Sequence, residues 1–299
     1  MKYIRFMAPG KEAEVGILLE GNRVIPVSSF VPGLKKGDMM DFIKHAGISG
    51  GLPEPPVSGC LGEPVYDLDS VRLLAPIERP VHDILCVGVN YEDHLKETEE
   101  HLGEESFKKP PKAVYFSKRA LRLMGPDGRI EGRLDVDEAL DYEVELAVII
   151  GKDGKKIPAC RAEEYIFGYS IFNDISSRNL QTAHGQWFYG KSLDTYASMG
   201  PVIVGREELP FPVELEVKSF VNGQLRQHSN TRSFIHGIPW LISELSQCIT
   251  LECGDIIATG TPSGVGMGYD PPRYMKKGDQ VTCEEIYERE LLHSGCNCI

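Results

Sequence analysis

The chain is poor in the features that mark membrane, disulfide-stapled or nucleic-acid-binding proteins. No stretch approaches the ~18 consecutive apolar residues of a spanning helix, so none is expected. The opening run, Met1-Lys2-Tyr3-Ile4-Arg5-Phe6-Met7, carries charges inside a short apolar stretch and reads as an edge strand rather than a secretory signal. Cysteine is scarce, 8 in 299 residues at irregular positions, which excludes a disulfide scaffold and fits reduced thiols in a cytoplasmic protein. The pair Cys296-Asn297-Cys298 lacks the second pair a soft-metal site needs and reads as a frayed end. Positive charge is short as well: 32 Lys and Arg against 44 Asp and Glu leave a net −12. General binding to nucleic acid or to an anionic membrane depends on a positive field, so neither partner is expected. An anionic small-molecule substrate would need a locally positive site. No His-Glu-x-x-His or Cys-x-x-Cys motif argues for zinc.

What is present suits a globular fold, with 41% apolar and 25% charged residues. A small β-rich domain is expected over 1–72, with a hairpin turning at Gly21-Asn22. A Gly- and Pro-rich linker follows at 50–56. A larger domain is expected over 73–299. Its strands are expected at 84–89, 113–116, 144–150, 166–172 and 256–259, with a hairpin over 214–227 turning at Asn222-Gly223. Helices are expected only at 91–100, 175–184 and 234–247. Strands outnumber helices and do not alternate with them, which points to a strand-dominated α+β fold rather than a doubly wound sheet or a (β/α) barrel.

Several segments could carry chemistry. In Asp141-Tyr142-Glu143-Val144-Glu145-Leu146, strand alternation puts Glu143 and Glu145 on one face. They are either a solvated outer face or, given the apolar run that follows, a buried pair needing a hard cation. Asp174 ends the next apolar strand as a third oxygen donor, or caps the helix after it. Oxygen-only ligands suit Mg²⁺, with Mn²⁺ or Ca²⁺ as alternatives. After Val87-Gly88-Val89, Asn90 can cap a helix on which His94 and Glu97, three apart, share a face. That is either a surface pair or a water-activating base with its orienting carboxylate. The polar run to Glu105 suggests a mobile lid. Residues 185–192 formally match a phosphate loop, but Trp187, Phe188 and Tyr189 fill it and a helix-like run precedes it, so nucleotide binding is rejected. Lys191 there could pair with an anionic substrate or lie on the surface, and the aromatic stretch 187–189 is a candidate for setting substrate size. The Gly-rich loop 259–268 permits close backbone approach to a ligand.

Taken in order, these segments resemble the fumarylacetoacetate hydrolase family over about residues 75–285. The matching phrases are Gly88-Val89-Asn90-Tyr91 with His94 and Glu97, Tyr142-Glu143-Val144-Glu145-Leu146, and Asn173-Asp174-Ile175-Ser176-Ser177-Arg178. They continue through Gln181, Gly190-Lys191-Ser192 and the run from Gly254-Asp255 to Gly266. The resemblance implies a mixed β-sandwich roll, with a small N-terminal domain common in bacterial-type members, and usually a homodimer. It implies one divalent cation held by Glu143, Glu145 and Asp174, with His94 and Glu97 as the water-activating dyad. Lys191 would hold a substrate oxygen or developing enolate, and Gln181 and Thr261 would contact substrate. The family commonly has Arg-Asp where this chain has Arg178-Asn179, a departure that bears on substrate choice rather than on the ligands. The expected activity is metal-dependent hydrolysis of a C–C bond in a 1,3-diketo acid, such as an acylpyruvate. The alternatives are a 2-oxo acid decarboxylase or tautomerase using the same site, and a catalytically idle binding protein.

Overall fold

Val144–Ile150 is apolar at nearly every position, and a strand of that kind must be covered on both faces. In the computed structural model, which describes residues 1–49, 65–102, 111–287 and 290–299, this strand lies inside a twelve-stranded mixed sheet. Ala147 and Ile149 face one core, with Phe167, Phe172 and the helix Met39–Ser49. Leu146, Val148 and Ile150 face another, against Leu241, Ile242 and Leu245 of the helix Ile238–Cys248. The linker read at 50–56 and the end of the polar run at Glu105 lie outside the described residues.

Ile166–Asp174 pairs antiparallel with Val144–Ile150, and Ile256–Ala258 flanks the latter on its other side. Ile84–Val87 runs parallel to Ile256–Ala258 and carries Tyr115–Lys118 at its far edge. Beyond Ile166–Asp174 come Val202–Gly205 and then Lys2–Met7. The first strand is therefore not an edge: it also pairs with Ala13–Leu19 and Arg72–Leu74, because Tyr3, Ile4 and Phe6 are apolar towards both faces. A second, antiparallel sheet packs Val217, Val221, Val281 and Cys283 onto Tyr142, Val144 and Ile171. Strands dominate and helices are few, the α+β class expected.

Three local expectations need correction. The tail is a strand, Glu290–Cys298, not a frayed end: it pairs with Gln280–Tyr287, and Asp127 and Ile130 donate backbone N–H groups to its carbonyls. The helix Met39–Ser49 was not expected; Asp38 starts it by accepting from Met40 and Asp41 N–H at 3.0 and 3.1 Å. Of 175–184, only Arg178–Ala183 is helical, since Ser176–Ser177 pairs with Leu140–Asp141. The turns behave as read: Gly21 and Asn22, and Asn222 and Gly223, all have positive φ.

Candidate active site

The pairing of Ile166–Asp174 with Val144–Ile150 sets Phe172 opposite Glu145 and Asn173 opposite Val144, and Asp174 N–H donates to Glu143 C=O at 2.9 Å. Directly opposed residues in an antiparallel pair point to one face. Asp174 thus joins Glu143 and Glu145, and all three are buried. One carboxylate oxygen from each lies within 4.8 Å of the other two. The solvated-face reading is excluded by burial. The capping reading is excluded too, because the next helix starts after Ser177 without any side-chain cap.

Three cations surround this cluster. Lys191 Nζ donates to Glu143 Oε2 at 2.8 Å and Asp174 Oδ2 at 2.7 Å. It is buried, not a surface lysine. Lys118 Nζ lies 2.6 Å from Asp174 Oδ1 and donates to the carbonyls of Ile175 (2.9 Å) and Lys191. Arg178 Nη1 lies 2.6 Å from Glu143 Oε1, and its Nε donates to Asp141 Oδ2 at 2.9 Å. Burial opposes the Lys191 ammonium, but Asp174 and Glu143 outweigh it and raise its pKa. Burial likewise disfavours the Glu143 carboxylate, yet Lys191, Arg178 and His94 hold its pKa below the usual range. Lys118 goes the other way, pushed down mainly by burial. Glu145 has no ion-pair partner among the described residues and accepts only Gly260 N–H, at 2.8 Å. Burial, then Asp174 and Glu143, push its pKa well up.

Among the described residues, the four carboxylates of Asp141, Glu143, Glu145 and Asp174 face three cations. Asp174 Oδ1, though near Lys118, receives no aligned hydrogen bond. A hard divalent ion fits this set: it would give Glu145, which pairs with no cation among the described residues, a positive partner beside Glu143 and Asp174.

His94 and Glu97 sit one turn apart on the helix Glu92–Leu102, and of the two it is His94 that lines the cavity shared with Glu143 and Glu145. Nδ1 of His94 lies 2.8 Å from Glu97 Oε2, and the other carboxylate oxygen accepts Gly264 N–H at 2.8 Å. A carboxylate only accepts, so Nδ1 carries the proton and Nε2 is left as the basic nitrogen. Asn90 does not cap this helix. Its amide instead ties His236 and Thr259 together, donating to their carbonyls and accepting His236 N–H. The cavity of about 200 Å³ is lined by His94, Glu143, Glu145, Lys191, Gln181, Thr261 and Trp187, the last from the aromatic stretch singled out above, together with the unforeseen Arg178, Phe116 and Met267. Gln181 Oε1 accepts from Arg178, and Thr261 Oγ1 from Gln227. Asn179 turns away, donating to Val136 C=O and accepting from Ser177.

The turn carrying Lys191, Phe188–Lys191, follows a helix rather than a strand, as the rejection of a phosphate loop requires. It packs on that helix through Gly190, where a Cβ would lie 2.3 Å from Gln181 N and 2.6 Å from Ser177 O. Gly190→Ala should therefore cost about 1–3 kcal/mol of stability. The expected readout is a fall in Tm with loss of turnover, since Lys191 is the next residue.

The model of the fumarylacetoacetate (FAA) hydrolase C-terminal family matches residues 83–289. The chain belongs to the fumarylacetoacetate hydrolase family. It is 42% identical over 253 residues to oxaloacetate tautomerase YisK of Bacillus subtilis (strain 168), covering 85% of this chain and 81% of that protein. It is 36% identical over 287 residues to the mitochondrial oxaloacetate tautomerase Fahd2a of Rattus norvegicus, covering 95% and 88%. Among solved structures, a fumarylacetoacetate hydrolase (EaFAH) from psychrophilic Exiguobacterium antarcticum aligns with a TM-score of 0.83 at 35% identity, over 100% of this chain and 99% of that one.

Two residues of this fumarylacetoacetate hydrolase family protein escaped the sequence reading although a signal existed. Asp141 continues the alternation of Glu143 and Glu145. It accepts from Arg178 and from Gly266 and Met267 N–H, fastening the Gly-rich loop to the carboxylate cluster. Lys118 ends an otherwise uncharged strand, Tyr115–Lys118, and is fully buried. Among the described residues no helix is long and apolar enough to cross a membrane.

Proposed function

We propose that this protein interconverts the enol and keto forms of a short 2-oxo acid, with oxaloacetate as the first substrate to test. The observation that carries the reading is that His94, hydrogen-bonded to Glu97, lines the same small cavity as Glu143 and Glu145 of the three-carboxylate cluster. At about 200 Å³ it is smaller than the ~300–1,000 Å³ of sites for drug-sized ligands. The names of the two tautomerase relatives support the same choice.

In this reading His94 Nε2 removes a proton from carbon 3 of the keto acid. The C–H pair becomes the C2–C3 double bond, the carbonyl pair moves to oxygen, and that oxygen takes a proton from water while the His94 imidazolium returns its own to solvent. Glu97 holds the ring and offsets the charge on the imidazolium. Lys191 and Arg178 place positive charge on the floor where the oxygens of the acid would lie. A divalent cation held by Glu143, Glu145 and Asp174, Mg²⁺ by donor chemistry with Mn²⁺ or Ca²⁺ as alternatives, would add stabilisation of enolate charge.

A second reading, hydrolysis of a 1,3-diketo acid, is favoured by the likeness to the Exiguobacterium hydrolase. There the same histidine would take its proton from water. Enol absorbance and acid release, followed together on oxaloacetate and acetylpyruvate with Mg²⁺, separate the readings. Accelerated enol decay without acid or CO₂ supports the tautomerase. Two acid products support hydrolysis, and CO₂ would make it a decarboxylase. No acceleration of any of these overturns both readings.

A further inference from the structure

The three aromatics that fill the 187–189 stretch do not share a role. Phe188 and Tyr189 point outward, 43% and 55% exposed, whereas Trp187 lines the cavity. Its indole meets Phe116 edge to face at 5.3 Å, and Phe116 lies 5.2 Å beneath the Lys191 ammonium. Behind it stands Gly88, where a Cβ would lie 3.1 Å from the indole and 2.9 Å from Val114. Trp187 also accepts Lys191 N–H at its carbonyl, at 3.1 Å, so wall and cation belong to one turn of backbone. The cavity lining therefore includes charged side chains, Glu143, Glu145, Arg178 and Lys191, and an apolar wall of Val87, Val89, Phe116, Trp187 and Met267. An oxo acid that sets its oxygens on the charged groups leaves its tail to the apolar ones.

We infer that Trp187 is a specificity-determining residue that closes the tail end of the cavity and restricts the substrate to short-chain 2-oxo acids. The inference rests on the enolising reading above. Gly88 lets the indole sit flush against the strand, and Phe116 braces it. Each added methylene then has to displace a braced ring. A methylene in an apolar pocket discriminates by about 10–200-fold.

The test is kcat/KM on acetyl-, propionyl- and butyrylpyruvate with Mg²⁺, using wild type, Trp187→Phe, Trp187→Ala and the outward-facing control Tyr189→Ala. Wild type is expected to fall at each added methylene. Trp187→Ala is expected to shift the butyryl-to-acetyl ratio towards the longer acid by at least about tenfold, with Trp187→Phe between the two. Tyr189→Ala should leave the ratio at the wild-type value. If Trp187→Ala misfolds, the shift in Trp187→Phe decides. An unchanged ratio in a folded Trp187 variant, or an equal shift in Tyr189→Ala, overturns the inference and leaves the enolising activity standing. Absence of turnover by wild type on these acids and on oxaloacetate overturns the enolising reading itself.

Discussion

Replacing His94 with alanine should lower turnover by about 10²–10⁴-fold, the usual contribution of a positioned acid–base group. The change removes the only ring nitrogen that the Glu97 contact leaves basic on the cavity wall. It leaves the three carboxylates and their lysine and arginine partners in place, so the rise in Tm on adding Mg²⁺ or Mn²⁺ should survive. Glu97→Gln should fall less. A glutamine oxygen can still accept from Nδ1 or from Gly264, though not both with a full charge. Rates read under saturating substrate, beside melting curves with and without the cation, check both halves. Undiminished turnover in His94→Ala would remove the base from the proposal.

Glu145→Gln is expected to do two opposite things: abolish the cation-dependent rise in Tm together with activity, and make the cation-free protein more stable at neutral pH. Glu145 is buried beside Glu143 and Asp174 with no cation of its own, and burial and both neighbours push its pKa up. In the absence of an ion the folded chain keeps this carboxyl's proton to a higher pH than the unfolded chain, which releases it above the ordinary glutamate pKa of about 4.3. The unfolded state then binds fewer protons, so this group makes stability fall as pH rises from about 4.3 towards its raised folded pKa. Glutamine keeps the acceptor for Gly260 N–H and removes that penalty. The advantage of the variant in chelator should be largest at neutral pH and shrink towards pH 4. Chemical denaturation at several pH values measures it, and a variant less stable than wild type at every pH contradicts the electrostatic account.

The parts of the site visible in the sequence were those set by short periods. Glu143 and Glu145 are two apart on a strand, and His94 and Glu97 three apart on a helix, and local geometry alone brings each pair together. The apolar run Val144–Ile150 likewise announces its own burial. What stayed hidden depends on register between distant segments. Nothing near Asp174 states that it faces Glu143. Lys118 reaches the cluster from an edge strand: a lone charge ending Tyr115–Lys118 marks it as unusual, but which carboxylate it meets depends on pairing with Ile84–Val87. Asn90 fits a helix cap by type, but the loops at 236 and 259 compete for its amide and win. The tail is a strand for a reason that Cys296 and Cys298 do not carry: its pairing partner Gln280–Tyr287 decides its structure.

The antiparallel register that opposes Phe172 to Glu145 also governs where this chain can change length. Inserting one residue between Val144 and Ile150, or between Gly168 and Asp174, would rotate one set of carboxylates to the opposite side of the sheet. Such a change is tolerable only with a compensating deletion in the partner strand. The register already slips by one at Ile166/Gly168, one step from the connecting stretch 151–165. Length variation between homologous chains should therefore collect in that connection and stop short of the last seven residues leading to Asp174.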